Sequence, residues 1–323
     1  MASVLAGQRG TIKDFPSFNA EADAKELNNA IKGFGTNEKV LIDIITKRSN
    51  SQRQLICRAY EKAYKRTLID DLDGDLSGEL KKIMIGLVMS PAAFDAKQIR
   101  DAIKGVGTKE STLIEIFASR NNKQIKDLIQ AYQKEYQESL ADNLSSDVSG
   151  DFLRALLILL QAKRDESVNI NDHQAKSDAQ ALYNAGEKRW GTDEDKFFTI
   201  LLERNIPNLR KTFEEYKIIS NKTIEESIKG EFSSDIEDLL LAVVACIRNT
   251  PAFFAGRLHK SIKGAGTNES TLTRVMVSRS EIDLLDIRTE YKKLYGHSLH
   301  SAIKSDTSGD YEEALLKICG GED

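Results

Sequence analysis

Four short glycine phrases recur in this chain of 323 residues: Gly33-Phe34-Gly35-Thr36, Gly105-Val106-Gly107-Thr108, Arg189-Trp190-Gly191-Thr192 and Gly264-Ala265-Gly266-Thr267. Forty positions after the second glycine of each stands an acid: Asp75, Asp147, Glu231 and Asp306. Glycine enters the left-handed region without a Cβ penalty, so a Gly-x-Gly loop can turn several backbone carbonyls the same way. Calcium takes about six to eight oxygen ligands and tolerates irregular geometry. Loop carbonyls and one distant carboxylate together make an oxygen-only cage for such a hard cation. With a single carboxylate the bound ion keeps part of its charge, so an anionic phosphate suits the remaining positions. Few charged ligands also predict weak affinity for the ion alone, on the order of 10⁻⁴–10⁻³ M.

Charge points the same way. Filling all four loops with a divalent ion would move the formal net charge from −4 to +4. Each positive charge near an anionic bilayer is worth roughly 1 kcal/mol. Several weak sites on one face act together and steepen the response.

The loops belong to a longer repeat. Twelve positions after each threonine comes an arginine (Arg48, Arg120, Arg204, Arg279), and twelve further on a tyrosine (Tyr60, Tyr132, Tyr216, Tyr291). These positions are expected to pack and cap rather than to bind ligand. The second glycines are offset by 72, 84 and 75 residues, so extra chain lies between copies two and three. The expected organisation is a tail (1–16), repeats at 17–89 and 90–161, a polar linker (162–172) between two pairs of repeats, and repeats at 173–248 and 249–323. Inside a unit the apolar period is helical. Leu27, Ala30, Ile31 and Phe34 form one stripe; Val40, Leu41, Ile44 and Ile45 a second; Leu55, Ile56, Ala59 and Tyr60 a third; and Leu80, Ile83, Met84, Leu87 and Val88 a last. Asp70 to Asp75 fits only a short helix or turn. The fold class is therefore all-α. Thr36 reads as an N-cap with Glu38 in the first turn, and Asp75 must return from a later connection to meet the first loop.

Other chemistries find less support. The slightly acidic balance predicts no nucleic-acid partner, and no apolar run approaches the roughly 20 residues of a spanning helix. The amino terminus lacks the pattern of a secretory signal, so a cytoplasmic protein is expected. Asp71-Leu72-Asp73-Gly74-Asp75 opens like an EF-hand, but Leu76 stands at the sixth position, where that loop needs glycine, and Lys82 at the twelfth, where it needs an acidic ligand. No Gly-Lys-Ser/Thr follows the glycines, which excludes a P-loop. The four histidines make no His-Glu-x-x-His frame. Cys57 and Cys246 read as buried core thiols, and Cys319 as more accessible. Catalysis is not expected.

The loop Ile-Lys-Gly-x-Gly-Thr, with an acid forty residues on and repeated along the chain from about Asn19 to Cys319, resembles the annexins. The stretch Ser280 to Arg288 and the ending Lys317 to Gly321 are similar to one member of that family in particular. The resemblance implies four homologous five-helix repeats packed as a curved disc, with Ca2+ sites on the convex face and reversible binding to acidic phospholipid membranes. Its first site would use the carbonyls of Ile31, Gly33 and Gly35 with Asp75, and an accessory site Thr36 and Glu38. The second would use Ile103, Gly105, Gly107 and Asp147, and the fourth Ile262, Gly264, Gly266 and Asp306. The third copy departs, with Arg189 in place of the first glycine, and rests on Gly191 and Glu231. Its Trp190, the one tryptophan in the chain, is similar to a loop tryptophan that contacts membranes in the family. The resemblance further implies a protein partner for the amino-terminal tail and phospholipase A2 inhibition by substrate masking. Asp95, Glu115, Arg120 and Arg274 match positions lining a polar pore in that family; a structural ion-pair network is the favoured reading of them.

Overall fold

The computed structural model describes residues 9–186 and 193–323, and among them every regular element is a helix. The first repeat holds five: α1 (Ala20–Lys32), α2 (Glu38–Thr46), α3 (Asn50–Tyr64), α4 (Leu68–Asp75) and α5 (Gly78–Val88). Local chemistry starts most of them. Asn19, Asn37 and Thr67 each accept a hydrogen bond from a first-turn backbone N–H, and Ser49 with Gln52 forms a reciprocal capping box. Leu27, Leu41, Ile42, Ile56, Ile83 and Leu87 are buried at helical spacing. Leu55, expected in the third stripe, is 44% exposed.

The same five-helix order recurs in the later repeats. The last helix of the third and the first of the fourth run together as Ser234–Ile262, broken at Asn249 (φ −164°, ψ 97°) just ahead of Pro251. Proline has no N–H to donate and suits a helix start, so it sets this break. The whole segment is long and apolar enough to cross a bilayer by composition. Each straight piece, however, spans only about 22 Å, short of the roughly 30 Å hydrocarbon layer. Leu239, Leu240, Val243, Val244, Phe254 and Leu258 are moreover already buried in the protein.

The chain divides into two compact units, residues 1–94 with 251–323 and residues 95–250. The first joins the first and fourth repeats around one core that includes Leu27, Ile42, Met84, Leu258, Met276 and Leu315. The second holds the second and third repeats, with Ile99, Phe117, Leu128, Phe197, Leu209 and Val243 buried. Residues 162–172 therefore connect two repeats inside one unit rather than two units. This connection is pinned in place: Ala162 is buried, Arg164 donates to the carbonyls of Leu201 and Arg204 at 3.0 and 2.9 Å, and Asp165 N–H donates to Glu203 O at 2.8 Å.

The repeated arginines and tyrosines are packing elements. Tyr60, Tyr132, Tyr216 and Tyr291 are fully buried. Arg48, Arg120 and Arg204 form two-pronged ion pairs with Asp23, Asp95 and Asp178. The fourth repeat has Phe254 at that acid's place, and Arg279 stacks over its ring at 4.5 Å while pairing with Asp283 one turn on. Of the residues matched to a pore, Asp95 and Arg120 are thus committed to each other; Glu115 is buried in the same unit and Arg274 in the other. Cys319 is fully buried, against the expectation of access, because the helix Gly309–Cys319 ends inside the core. Burial pushes the thiols of both Cys57 and Cys319 up to about 11.

Candidate functional site

Each of the four acids ends a helix of eight residues: Leu68–Asp75, Leu140–Asp147, Ile224–Glu231 and Leu299–Asp306. Thr67, Ser139, Thr223 and Ser298 cap the starts of these helices. The carboxylates therefore stand at the negative ends of their helix dipoles, where a cation rather than an anion is stabilised.

The loops begin at helix ends of the same polarity. Gly33 follows α1, Gly105 follows Pro91–Lys104, and Gly264 lies just past Ile262. The last four carbonyls of a helix have no partner within it. A residue beyond the loop caps one of them in each repeat: Asn37 N–H caps Ala30 O at 3.0 Å, Lys109 N–H caps Ala102 O at 2.9 Å and Asn268 N–H caps Ser261 O at 2.7 Å. The next carbonyls, of Ile31, Ile103 and Ile262, receive no backbone hydrogen bond. The second glycine of each loop is left-handed, with φ of 78° at Gly35, 76° at Gly107 and 124° at Gly266. Gly33, in contrast, has φ −66°, which any residue adopts. The second glycine, then, is the one that the backbone requires.

Loop and acid meet. Thr36 Oγ1 donates to Asp75 Oδ2, Thr108 Oγ1 to Asp147 Oδ2 at 2.5 Å, and Thr267 Oγ1 to Asp306 Oδ2 at 2.5 Å. Thr36 is consequently not the N-cap of α2. Asn37 takes that place, accepting from Val40 N–H, because the threonine hydroxyl is committed to the carboxylate. Glu38 is the first residue of α2 and half-buried. Thr108 and Thr267 belong to the site as Thr36 does, and their recurrence as the fourth residue of the phrase is the sequence signal for them. Among the described residues no group of three His, Cys, Asp or Glu side chains could hold a metal ion by itself. A carboxylate held at a loop of unpaired carbonyls, between two negative helix ends, fits a hard cation bound mainly through backbone oxygen.

Phe34 falls outside the buried stripe expected of it. Helix α1 ends at Lys32, and Phe34 stands fully exposed. In the third repeat Arg189, Trp190 and Gly191 lie outside the described residues. Glu231 is half-buried, its Cγ 3.7 Å from where a Cβ on Gly186 would be.

The annexin family model matches residues 22–87, 94–159, 177–243 and 253–318, each holding one loop and its acid. The chain belongs to the annexin family. It is 60% identical to annexin A3 of Homo sapiens over 323 residues, all of both proteins. Its structure superposes on that of annexin III with a TM-score of 0.97 at 60% identity, covering all of both chains. It superposes on a calcium-bound annexin (Sm)1 with a TM-score of 0.87 at 37% identity, covering 98% of this chain and 94% of that one. Annexins bind Ca2+, and membership supports calcium-dependent phospholipid binding in general.

Proposed function

We propose that this chain is a non-catalytic peripheral protein that attaches reversibly to acidic phospholipid on the cytosolic face of membranes, bridged by calcium. The carbonyls of Ile31, Gly33 and Gly35 with Asp75 form the first site. Ile103, Gly105, Gly107 and Asp147 form the second, and Ile262, Gly264, Gly266 and Asp306 the fourth. The third rests on Gly191 and Glu231, and Thr36 with Glu38 supply an accessory position. Calcium, when bound, offers coordination positions that a lipid phosphate can fill. The chain's own part is preparation. Each threonine orients its carboxylate against the loop, the left-handed glycine shapes the turn, and two helix ends supply negative potential. Lys32, Lys104 and Lys263, exposed beside the loops, add attraction to an anionic surface.

The observation that carries this reading is the threonine–aspartate hydrogen bond, present in three repeats, that joins residues thirty-nine apart. Asp147→Ala and Asp306→Ala should each raise severalfold the calcium needed for half-maximal pelleting with phosphatidylserine liposomes. Wild-type half-saturation in both variants would defeat the site assignment. Coverage of acidic lipid would also inhibit phospholipase A2 by masking its substrate, an effect that excess lipid should abolish. The amino-terminal tail is the assigned place for a protein partner.

A further inference from the structure

Each unit has a non-helical segment ahead of one of its repeats, and the two segments close unequally. In the first unit Thr11 N–H donates to Ser280 O at 2.8 Å and Thr11 Oγ1 to Ile318 O at 2.6 Å. Phe15 N–H donates to Gln52 Oε1 at 2.8 Å, and Gln52 Nε2 donates back to Phe15 O at 3.1 Å. Ile12 is buried, and the Phe15 ring lies 3.6 Å from the Arg48 guanidinium. In the second unit the connection 162–172 makes the corresponding bond through Asn171, whose N–H donates to Asn208 Oδ1 at 2.9 Å. Gln52 and Asn208 are each the third residue of their helices, Asn50–Tyr64 and Ile206–Ser220. Asparagine is one methylene shorter, and the buried Asn208 Nδ2 has no acceptor among the described residues. The connection holds no aromatic residue, and Arg204, the counterpart of Arg48, is 32% exposed beside Asp178. Val168 and Ile170 are 66% and 60% exposed. They flank Asn169, whose carbonyl accepts from Asn205 Nδ2 at 2.9 Å, one residue after Arg204. Among the described residues their backbone N–H groups find no acceptor.

We propose that the open edge of the second unit, formed by Val168, Ile170 and Arg204, is a docking site for an extended segment of a partner protein that brings an aromatic side chain. The first unit shows the chemistry of the occupant, because there the chain lays its own Phe15 on the matching arginine. A ring over a guanidinium is attractive, and two exposed aliphatic side chains beside it offer apolar area to cover. The free N–H groups of Val168 and Ile170 can pair with main-chain carbonyls of the incoming segment. Asp165, Glu166 and Asp172 are exposed along the connection, so basic flanks suit the partner, as Arg9 and Lys13 precede Phe15 in the first unit. None of these residues belongs to a proposed calcium site, and docking therefore needs neither calcium nor lipid.

The probe is a fluorescein-labelled synthetic peptide of this chain's own residues 9–18, titrated with the full chain in chelator and followed by anisotropy. Saturable binding is expected. Val168→Ser combined with Ile170→Ser in the protein should weaken it about tenfold, and Ile170→Ser alone by a smaller factor. Phe15→Ala in the peptide should weaken it about tenfold as well. Both protein positions are exposed, so the serine variants should keep the wild-type melting temperature and calcium-dependent pelleting, which separates a lost contact from a lost fold. Wild-type affinity in the double serine variant would mean that the peptide displaces residues 9–16 from the first unit, and would overturn the proposal. No saturable binding at the highest soluble protein concentration overturns it too. Concentration-dependent dimerisation in sedimentation, abolished by the serine pair, would assign the edge to a second copy of this chain in place of a partner protein.

Discussion

In the first repeat, helix α1 runs to the residue before the loop's first glycine, and Asn37 N–H closes the turn on Ala30 O at 3.0 Å. In the third, the matching helix Asp172–Ala185 stops at the counterpart of Asn29, and Asp193 N–H closes on Ala185 O at 3.0 Å instead of on the next residue. The spacing from loop to acid is the same in both. What differs is Gly186, which stands where the other repeats carry Ala30, Ala102 and Ser261. Glycine is less favourable than alanine in a helix by about 1 kcal/mol, which favours ending this helix at Ala185. A second difference lies after the acid. Gly78, Gly150 and Gly309 start their helices with φ of 61°, 67° and 67°, while the third repeat places Ser234 there at φ 59°. Equal spacing therefore does not make equal sites: the third repeat has lost glycine where the backbone needs it and gained one where it does not.

The largest expected difference between these repeats is in their buried ion pairs. The side chains of Arg48 and Asp23 are 9% and 8% exposed, whereas Arg204 is 32% exposed beside Asp178. In the first repeat Phe15 also covers the guanidinium, 3.6 Å from its ring centre. Asp23→Ala strands a buried charge and should cost about 3–5 kcal/mol. Asp178→Ala leaves an arginine that water can reach and should cost roughly 1–2 kcal/mol. Denaturant unfolding of the two variants measures both. Equal losses would mean that the third repeat is as closed as the first.

Much of this was legible in the sequence, for reasons that particular residues make plain. Helical period and constant spacing reveal α1 to α5 because apolar burial and caps such as Ser49 with Gln52 act over a few residues. The pairing of Gly35 with Asp75 was visible because it recurs. The threonine bond that joins them was not, since Thr36 is an equally good N-cap by type, and only the fold shows that Asn37 takes that role. Phe34 continues the i, i+3, i+4, i+7 pattern of α1 and looked buried; the glycine on each side ends the helix before reaching it. Cys319 sits four residues from the end of the sequence, and neither that position nor its neighbours disclose that the last helix closes the core of the first unit. The pairing of the first repeat with the fourth depends on contacts more than two hundred residues apart, such as Lys317 with Asp43, which no local pattern encodes.

Gly186→Ala sharpens the comparison next. The glycine has φ −100° and ψ −79°, and a Cβ there would meet Leu182 O at 3.5 Å and Glu231 Cγ at 3.7 Å, both ordinary contacts. Alanine is therefore accepted and should extend the helix, stabilising the protein by about 1 kcal/mol and raising the midpoint by roughly 2–4 °C. Far-ultraviolet dichroism should show a small gain in helix. A lower midpoint would mean that the short helix is imposed by the loop itself, and that Gly186 merely follows it.

The smallest effect is the most selective. A side chain in the left-handed region costs about 1–2 kcal/mol, and glycine relieves that strain but gives back up to about 1 kcal/mol in chain entropy. Ser234→Gly should thus stabilise by roughly 0.5 kcal/mol. Gly78→Ser, the reverse change at the matching position of the first repeat, should destabilise by a similar amount, because a Cβ there meets nothing within 4 Å and only the φ of 61° opposes it. The two variants form a matched pair in opposite units, and opposite signs of similar size assign the difference to backbone strain alone. If Ser234→Gly destabilises, the serine is contributing a contact that outweighs its strained φ, and the third repeat then differs from the first by design at this position rather than by a lost glycine.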